Sequence, residues 1–388
     1  MSVQRILVAT LFDGDQFLKE KVLTIDAGVI TAIDEKTNNV DETLSGLITP
    51  GFIDLQVNGG GGVLFNRARN ASEVKRMLMA HAKYGTTAML PTLITDTVEV
   101  MRQAADVIAD AIVKHIPGIM GIHFEGPHLS IAKKGAHSEE FIRPISDDEW
   151  QVLSRKDIGK VVVTLAPENV LPSDITQMRE YGIHVCLGHT NACFEQAQRA
   201  VDAGATGFTH LYNAMSPLQG REPGVVGCAL LNDNAYCGLI VDGHHVDYAT
   251  CQVALKAKPK GRVFLVTDAM PPVGTNETEF AFFDRTVTLN QGKLTSTTGE
   301  LAGSVLDMAT AVKNSVEHLQ LPLSEALKMA SLYPAQYINL PTTNGRLIVG
   351  SPANFVQLDT NQQVISTWIG GEQLFKKMII NINKGKIT

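Results

Sequence analysis

The segment HVCLGHTNACFEQAQRAVDAGATGFTHLYNAM (184–215) has the pattern strand, helix, strand. Its middle part, 192–204, has apolar residues at helical spacing and ends in Gly204, a residue typical of helix C-termini. The parts on either side are short and apolar, and a histidine stands near the end of each, His189 and His210. Because consecutive strands of a parallel sheet point the same way, the pattern predicts that both imidazoles lie on one rim.

The alternation of strand and helix continues on both sides of this segment. From GFIDLQVNG (51–59) to RVFLVTDAMPP (262–272) there are eight apolar segments with mostly helical connections. Eight such units predict an α/β fold, a (β/α)₈ TIM-type barrel, with its active site on the C-terminal rim. The polar residues at the predicted strand ends are Gln56, Asn58, Thr92, Thr95, Glu125, Glu168, His189, His210, Asp242, His245 and Asp268.

The two ends of the chain have a different pattern. Residues 1–50 contain short apolar or alternating runs separated by Asp-Gly and Ala-Gly turns, and short strands return at the C-terminal end. We therefore predict a barrel domain over 51–344 and one small β domain built from 1–50 and 345–388. Within the barrel domain, 280–303 is β-like and contains an Asn-Gln-Gly turn.

Composition excludes several classes of function. The 388 residues are 44% hydrophobic and 19% charged, as in an ordinary globular protein, and the net charge is −7. We see no basic stripe that would indicate nucleic-acid binding, and no apolar run near the ~20 residues of a membrane helix. The N-terminus does not resemble a signal peptide, and the five cysteines form no C-x-x-C pair, so we expect reduced thiols and a cytoplasmic location.

A third strand end adds a carboxylate to the two histidines. IHFEGPHL (122–129) places Glu125 before a glycine and a proline. Three protein ligands with one open position are typical of a catalytic metal site. Each residue alone has an ordinary alternative: a buried ion-pair partner for Glu125, a hydrogen-bonded rim residue for His189 or His210. Their joint placement on matching strand ends favours the metal site.

Other polar residues near the rim suggest catalytic and binding roles. Asp268 ends the last predicted strand and is a candidate fourth ligand or general base, with a helix N-cap as its alternative. Arg221 is a candidate clamp for a phosphate or carboxylate, or else a partner in a surface salt bridge. His137 and His245 are candidate hydrogen-bond donors, whereas His244 is interpreted as supporting or surface-exposed.

Nine motifs together resemble those of the N-acetylglucosamine-6-phosphate deacetylase family, within the amidohydrolase superfamily. THLYNAM and GREPG are specific to that family, whereas PGFID and the last-strand aspartate are found across the superfamily. In chain order they are PGFIDLQVNGGGG (50–62), HFEGPHL (123–129), KKGAH (133–137), LGHTNA (187–192), THLYNAM (209–215), GREPG (220–224), DGHHVD (242–247), LVTDAM (265–270) and LAGS (301–304).

The resemblance implies a role for each matching residue. Glu125, His189 and His210 match the metal ligands, Asp268 matches the catalytic acid and base, and His137 matches the residue near the substrate carbonyl. It further implies a small β-sandwich domain and a homodimer. A Glu-His-His donor set suits one divalent metal ion per subunit, zinc first, with iron, cobalt, nickel or manganese as alternatives. The residues that match substrate contacts are Ala136, His137, Asn213, Ala214, Arg221, Asp242, Gly243, His244, His245, Leu301, Ala302 and Gly303.

One departure from the superfamily bears on the number of metals. Many amidohydrolases hold a second metal with an H-x-H motif after the first strand, where this chain has Gln56-Val57-Asn58. Amide side chains are poor metal ligands compared with imidazole, so we expect one metal.

The expected reaction is hydrolysis of the acetamide of N-acetyl-D-glucosamine 6-phosphate to D-glucosamine 6-phosphate and acetate, in amino-sugar catabolism or recycling. Three alternatives remain. They are a deacetylase for the N-acetylgalactosamine 6-phosphate epimer, a cyclic-amide hydrolase, and a non-catalytic sugar-phosphate sensor.

Overall fold

The structure, a computed structural model, describes residues 3–297 and 299–377. It begins with four strands: β1 (Gln4–Phe12), β2 (Phe17–Asp26), β3 (Val29–Glu35) and β4 (Glu42–Pro50). β1 pairs antiparallel with β2 and parallel with β4. β2 and β3 are joined at Ala27 and Gly28, both with positive φ, the backbone geometry of a two-residue hairpin turn.

Eight parallel strands then form the barrel, as the sequence predicted. They are β5 (Phe52–Val57), β6 (Thr86–Ile94), β7 (Gly121–Glu125), β8 (Lys160–Leu165), β9 (His184–Leu187), β10 (Gly207–Phe208), β11 (Tyr236–Leu239) and β12 (Val263–Leu265). The first two are buried along their whole length, as parallel strands covered by helices should be.

The barrel closes between its first and last strands. Neighbouring strands follow one another in chain order from β5 to β12. A parallel bridge between Val57 and Ala269, and a hydrogen bond of 2.9 Å from the Asp268 amide to the Gln56 carbonyl, join the two ends of the sheet. Because all eight strands point the same way, their C-terminal ends share one rim.

Ten α-helices lie in the described ranges. They are α1 (Ala71–Ala82), α2 (Val98–Val113), α3 (Asp147–Leu153), α4 (Pro172–Glu180), α5 (Phe194–Ala203), α6 (Gly224–Leu231), α7 (Tyr248–Ala257), α8 (Met308–Glu317), α9 (Leu323–Ala330) and α10 (Leu332–Tyr337). α5 ends before Gly204 at φ +124°, the terminus that the sequence predicted. None of the helices in the described ranges combines the length and apolar composition needed to cross a bilayer.

A small antiparallel sheet interrupts the alternation after β12. It consists of β13 (Glu279–Phe282), β14 (Arg285–Asn290) and β15 (Lys293–Ser296), within and next to the segment predicted to be β-like. The turn between β14 and β15 is Gln291-Gly292, with both residues at positive φ. Its apolar side chains pack in a cluster with residues from the barrel loops: Leu64, Ile94, Met270, Phe282, Val287, Leu294 and Ala302. We call this element the insert sheet.

The chain returns to the N-terminal strands at its end. β16 (Phe355–Leu358), β17 (Val364–Ile369) and β18 (Glu372–Lys376) complete a seven-stranded sheet of order β18-β17-β16-β4-β1-β2-β3. The resemblance implied a β-sandwich, and the structure joins its two halves into one ladder, because β4 pairs with β1 on one side and β16 on the other. Side chains from both halves share one core, which includes Ile6, Ile25, Phe355 and Trp368.

The predicted domain boundary at 50/51 lies in a short link. β4 ends at Pro50 and β5 begins at Phe52. Residues 378–388 of the predicted small domain lie outside the described residues. The division into 1–50 with 345–388 and 51–344 stays a prediction, although the order of the strands fits it.

Truncating one side chain should test the core of the small domain. Phe355 is fully buried and stacks on Trp368 with ring centroids 5.2 Å apart. Phe355→Ala should lower the free energy of unfolding by ~3–5 kcal/mol, because it leaves a cavity. Phe17 is 45% exposed, and Phe17→Ala should cost about 1 kcal/mol or less. Equal losses for the two variants in urea unfolding would contradict the assignment of Phe355 to this core.

Candidate active site

The three predicted metal ligands come together on the rim. Glu125 ends β7, and His189 and His210 each lie two residues beyond their strands, β9 and β10. Glu125 Oε1 lies 3.1 Å from His210 Nε2 and 3.3 Å from His189 Nε2, and the two imidazole nitrogens are 3.0 Å apart. All three side chains are buried.

The chemistry of these donors fits a divalent cation. His189 Nδ1 lies 2.9 Å from the Lys133 carbonyl, which can only accept a hydrogen bond, so the free lone pair of His189 is on Nε2. The two imidazole nitrogens and the carboxylate oxygen lie within 3.3 Å of one another, and hydrogen bonds among them cannot use the lone pairs of all three. One cation can bind all three atoms at once. In the described part of the chain, this is the one group of such side chains with metal-binding geometry.

Electrostatics supports an ionised carboxylate at this point. Burial alone would raise the pKa of Glu125, but the neighbouring imidazoles of His189 and His210 outweigh it and hold that pKa well below its usual range. Burial likewise disfavours a charged His210, yet Glu125 raises the pKa of that histidine overall. A negative carboxylate in contact with two imidazoles is the charge distribution that a cation requires.

The site residues have a strained backbone. His189, His210 and Asp268 have φ values of +47°, +31° and +54°, the left-handed region that non-glycine residues rarely adopt. Such conformations cost of order 1–3 kcal/mol each and persist only where the surroundings impose them. All three lie just beyond barrel strands, where the chain leaves the sheet, so the barrel holds these residues in position.

Asp268 is held by the two amides that replace the H-x-H motif. Asn58 Nδ2 donates to Asp268 Oδ1 at 2.6 Å, and Gln56 Nε2 donates to the same oxygen at 3.1 Å. Gln56 Nε2 also donates to Glu125 Oε1 at 3.0 Å, so this amide links the ligand carboxylate to Asp268. The sequence showed Gln56 and Asn58 only as poor ligands, and their role as donors was missed.

The surroundings of Asp268 suit a general base. Burial, and then the charge of Glu125, raise the pKa of Asp268 to about 6, close to neutral pH. Asp268 is not part of the three-ligand group. The N-cap alternative is wrong, because the next helix is α8, which begins at Met308 and is capped by Asp307.

His137 lies beside the ligands on the loop after β7. Its Nδ1 is 2.8 Å from Thr95 Oγ1, its Nε2 is 4.0 Å from Glu125 Oε2, and its ring centroid is 4.3 Å from that of His189. Burial, and then the neighbouring His189, lower the pKa of His137 to about 3, so the ring is neutral. A neutral imidazole keeps one N–H and one lone pair and can hydrogen-bond an acetamide without adding charge.

A cavity of about 350 Å³ opens beside these groups. The predicted site residues that line it are Glu125, Ala136, His137, His189, His210, Asn213, Ala214, His245, Asp268, Leu301, Ala302 and Gly303. The sequence did not assign Ile94, Gly135, Met270, Phe282 or Glu300 to the site, although they also line the cavity. Phe282 belongs to the insert sheet, whose position over the rim no local pattern indicates.

Four predicted contact residues lie outside this cavity. In the loop 242–247, Asp242 accepts hydrogen bonds from the amide and Nδ1 of His245, at 2.8 and 2.7 Å, so Asp242 orients His245 and only His245 lines the cavity. Gly243 and His244 are exposed. The Gly292 turn of the insert sheet lies against the His244 ring, since a Cβ on that glycine would come within 3.2 Å of Nε2. Arg221 is exposed in the loop before α6.

Comparison with known proteins agrees with the resemblance seen in the sequence. The model of the amidohydrolase family matches residues 47–374. The chain is 49% identical over 332 residues to an N-acetylgalactosamine-6-phosphate deacetylase from Shewanella sp. (strain ANA-3), covering 86% of this chain and 84% of the relative. It is 37% identical over 351 residues to an N-acetylglucosamine-6-phosphate deacetylase from Haemophilus influenzae, covering 90% of this chain and 89% of that relative.

Among solved structures, the fold is similar to that of an N-acetylglucosamine-6-phosphate deacetylase from Pasteurella multocida. The TM-score is 0.92 at 37% identity, and the match covers 96% of this chain and 99% of that one. The predicted family and barrel fold are thereby confirmed.

Removing one ligand should remove the metal. His189→Ala deletes one of three donors, and bound metal per subunit, measured by elemental analysis after dialysis, should fall at least ten-fold. His115 is an exposed histidine two residues after α2, in the loop that leads to the N-terminal end of β7, and His115→Gln should leave metal content unchanged. Full metal content in His189→Ala would refute the ligand set.

Proposed function

The chain belongs to the amidohydrolase family, and from that membership we propose that it hydrolyses the acetamide of N-acetyl-D-glucosamine 6-phosphate. The products are D-glucosamine 6-phosphate and acetate, and the reaction serves amino-sugar catabolism or recycling. The observation that carries the proposal is one cavity that holds both the Glu125, His189 and His210 donors and the adjacent Asp268. Its volume, about 350 Å³, is within the range of small-molecule sites.

The three donors would hold one divalent cation, with zinc as the first candidate and iron, cobalt, nickel or manganese as alternatives. Such a cation, when bound, supplies Lewis-acid activation of a water molecule and of the acetyl carbonyl. His137, neutral and beside the ligands, hydrogen-bonds the acetamide and helps to align it. Orientation of this kind lowers the barrier because the reacting groups are already placed.

Asp268 moves the proton in this scheme. Within the described residues, both amide hydrogen bonds to its side chain reach Oδ1, which leaves Oδ2 to accept a proton from the attacking water. Asp268 then returns that proton to the departing amine, which cannot leave as an anion. A pKa near neutral suits a group that must both accept and donate within one turnover.

The phosphate requires a cationic partner that the cavity wall does not supply. Among the described residues, no lysine or arginine lines the cavity, and His245, oriented by Asp242, is the polar side chain from the 242–247 loop. Arg221 is exposed outside the cavity of its own subunit. We therefore propose that the protein is a homodimer in which Arg221 of each subunit binds the phosphate in the other.

The galactosamine epimer is a second candidate substrate, favoured by the relative of 49% identity, which is named for that sugar. The two sugars differ only at C4, far from the acetamide, so the same catalytic groups serve both. A cytoplasmic location is part of the proposal, and the five cysteines, all free thiols, are in keeping with it.

Acetate release tests the reaction and the metal together. Purified enzyme should release acetate from N-acetylglucosamine 6-phosphate, lose at least ~90% of this activity on chelation, and recover it with a divalent ion. The galactosamine epimer, assayed in parallel, decides which sugar has the higher kcat/KM. Folded protein that releases acetate from neither sugar with any added metal would refute the proposal, and would leave a cyclic-amide hydrolase or a sugar-phosphate sensor.

Mixed dimers test whether Arg221 acts across the subunit interface. Arg221→Ala lacks the phosphate clamp, and Asp268→Asn cannot take up the proton, so each variant alone should be nearly inactive. Co-assembled, the two should recover about a quarter of wild-type turnover, because half of the random dimers are mixed and each has one complete site. The control mixes Arg221→Ala with the doubly substituted chain, and should recover nothing. No recovery in the first mixture would place Arg221 in its own subunit's site, and an active Arg221→Ala homodimer would place it outside the site.

A further inference from the structure

Asp54 is a fully buried carboxylate in the wall of the barrel that does not line the cavity. It lies on β5, and burial raises its pKa to about 7. A buried carboxylate is costly unless hydrogen bonds satisfy it. Among the residues that the structure describes, its donors all come from the seam between the first and last strands. Thr267 Oγ1 donates to Oδ2 at 2.5 Å, and the amides of Gln56 and Thr267 donate to Oδ1 at 3.2 and 3.3 Å.

The residue that Asp54 holds directly precedes Asp268. Thr267 is also fixed from the opposite side, since Ser304 Oγ donates to the Thr267 carbonyl at 2.6 Å. The Asp268 amide donates to the Gln56 carbonyl, and the Ser304 amide donates to the Asp268 carbonyl, both at 2.9 Å. Asp268 is therefore clamped between β5 and the segment at Ser304, while its φ is +54°.

We propose that Asp54, acting through the hydroxyl of Thr267, is a positioning residue that keeps Asp268 in its strained, catalytically aimed conformation. The inference rests on the proposed function, in which Asp268 transfers the proton. A strained residue relaxes when its surroundings loosen, and a shift of ~1 Å at a catalytic group can cost about a hundred-fold in rate. The contribution of Asp54 is therefore to turnover, without contact to substrate or metal.

A purely structural role for Asp54 would have a different signature. If the hydrogen bonds only closed the barrel, their loss would lower stability and leave kcat per folded enzyme unchanged. If they acted through the metal ligands, metal content would fall together with activity. Positioning of Asp268 predicts a lower kcat with KM and metal content unchanged, because binding groups and ligands stay in place.

Four variants separate these roles. Asp54→Asn keeps the shape but presents an NH₂ group to the donors, Thr267→Val removes the hydroxyl at constant shape, and Thr267→Ser restores it. The matched control is Thr86→Val, since Thr86 is a fully buried barrel threonine whose hydroxyl has no hydrogen-bond partner in the described part of the chain. Each is assayed for kcat, KM for N-acetylglucosamine 6-phosphate, bound metal per subunit and thermal unfolding.

We expect Asp54→Asn and Thr267→Val to lower kcat by about 10- to 100-fold with KM within about two-fold of wild type. Metal content should not change, Thr267→Ser should regain most of the turnover, and Thr86→Val should match wild type. Should Asp54→Asn not fold, the Val and Ser variants of Thr267 decide the question. The inference is overturned, and the proposed function is not, by a wild-type kcat in Thr267→Val. The same holds if Asp54→Asn or Thr267→Val loses bound metal in proportion to its loss of activity. Absence of turnover in the wild-type enzyme overturns the proposed function and this inference with it.

Discussion

Closure of the barrel between its first and last strands is the constraint on which the site depends. The hydrogen bond from the Asp268 amide to the Gln56 carbonyl, and the bridge from Val57 to Ala269, bring the end of β12 against β5. This junction places the amides of Gln56 and Asn58 against the Asp268 carboxylate. An open sheet would leave that carboxylate at one edge and the amides at the other, so their hydrogen bonds exist only in the closed barrel.

The three predicted metal ligands depend on the same regular geometry along the rim. Glu125, His189 and His210 follow strands that point the same way, and the barrel carries them to a common point. Part of the cost of burying a carboxylate and two imidazoles there is offset by two further hydrogen bonds, one from Gln56 to Glu125 and one from His189 to the Lys133 carbonyl. The left-handed backbone at both histidines shows that the packing of the barrel, more than local preference, sets their orientation.

Much of this architecture could be predicted from the sequence because the decisive signals are local. Alternating strands and helices indicate a barrel, and the strand-end positions of Glu125, His189, His210 and Asp268 indicate one rim. The parts that were missed depend on packing between distant segments. Whether His245 or His244 reaches the cavity depends on how Asp242 folds its own loop, and Phe282 reaches it only because the insert sheet lies across the rim. The amide bridges of Gln56 similarly require both partners to be in place.

The groups assigned to bond cleavage and part of the cavity wall come from different segments of the chain, because the insert sheet supplies that part of the wall. The groups assigned to bond cleavage come from barrel strands and the segments that follow them, whereas Phe282 and Glu300 reach the cavity from the insert sheet and the loop after it, in one continuous stretch between β12 and α8. Substitutions or length changes in this stretch can reshape this part of the cavity wall while the donors and Asp268 keep their positions. This part of the cavity wall can therefore change in evolution while the three donors and Asp268 are retained.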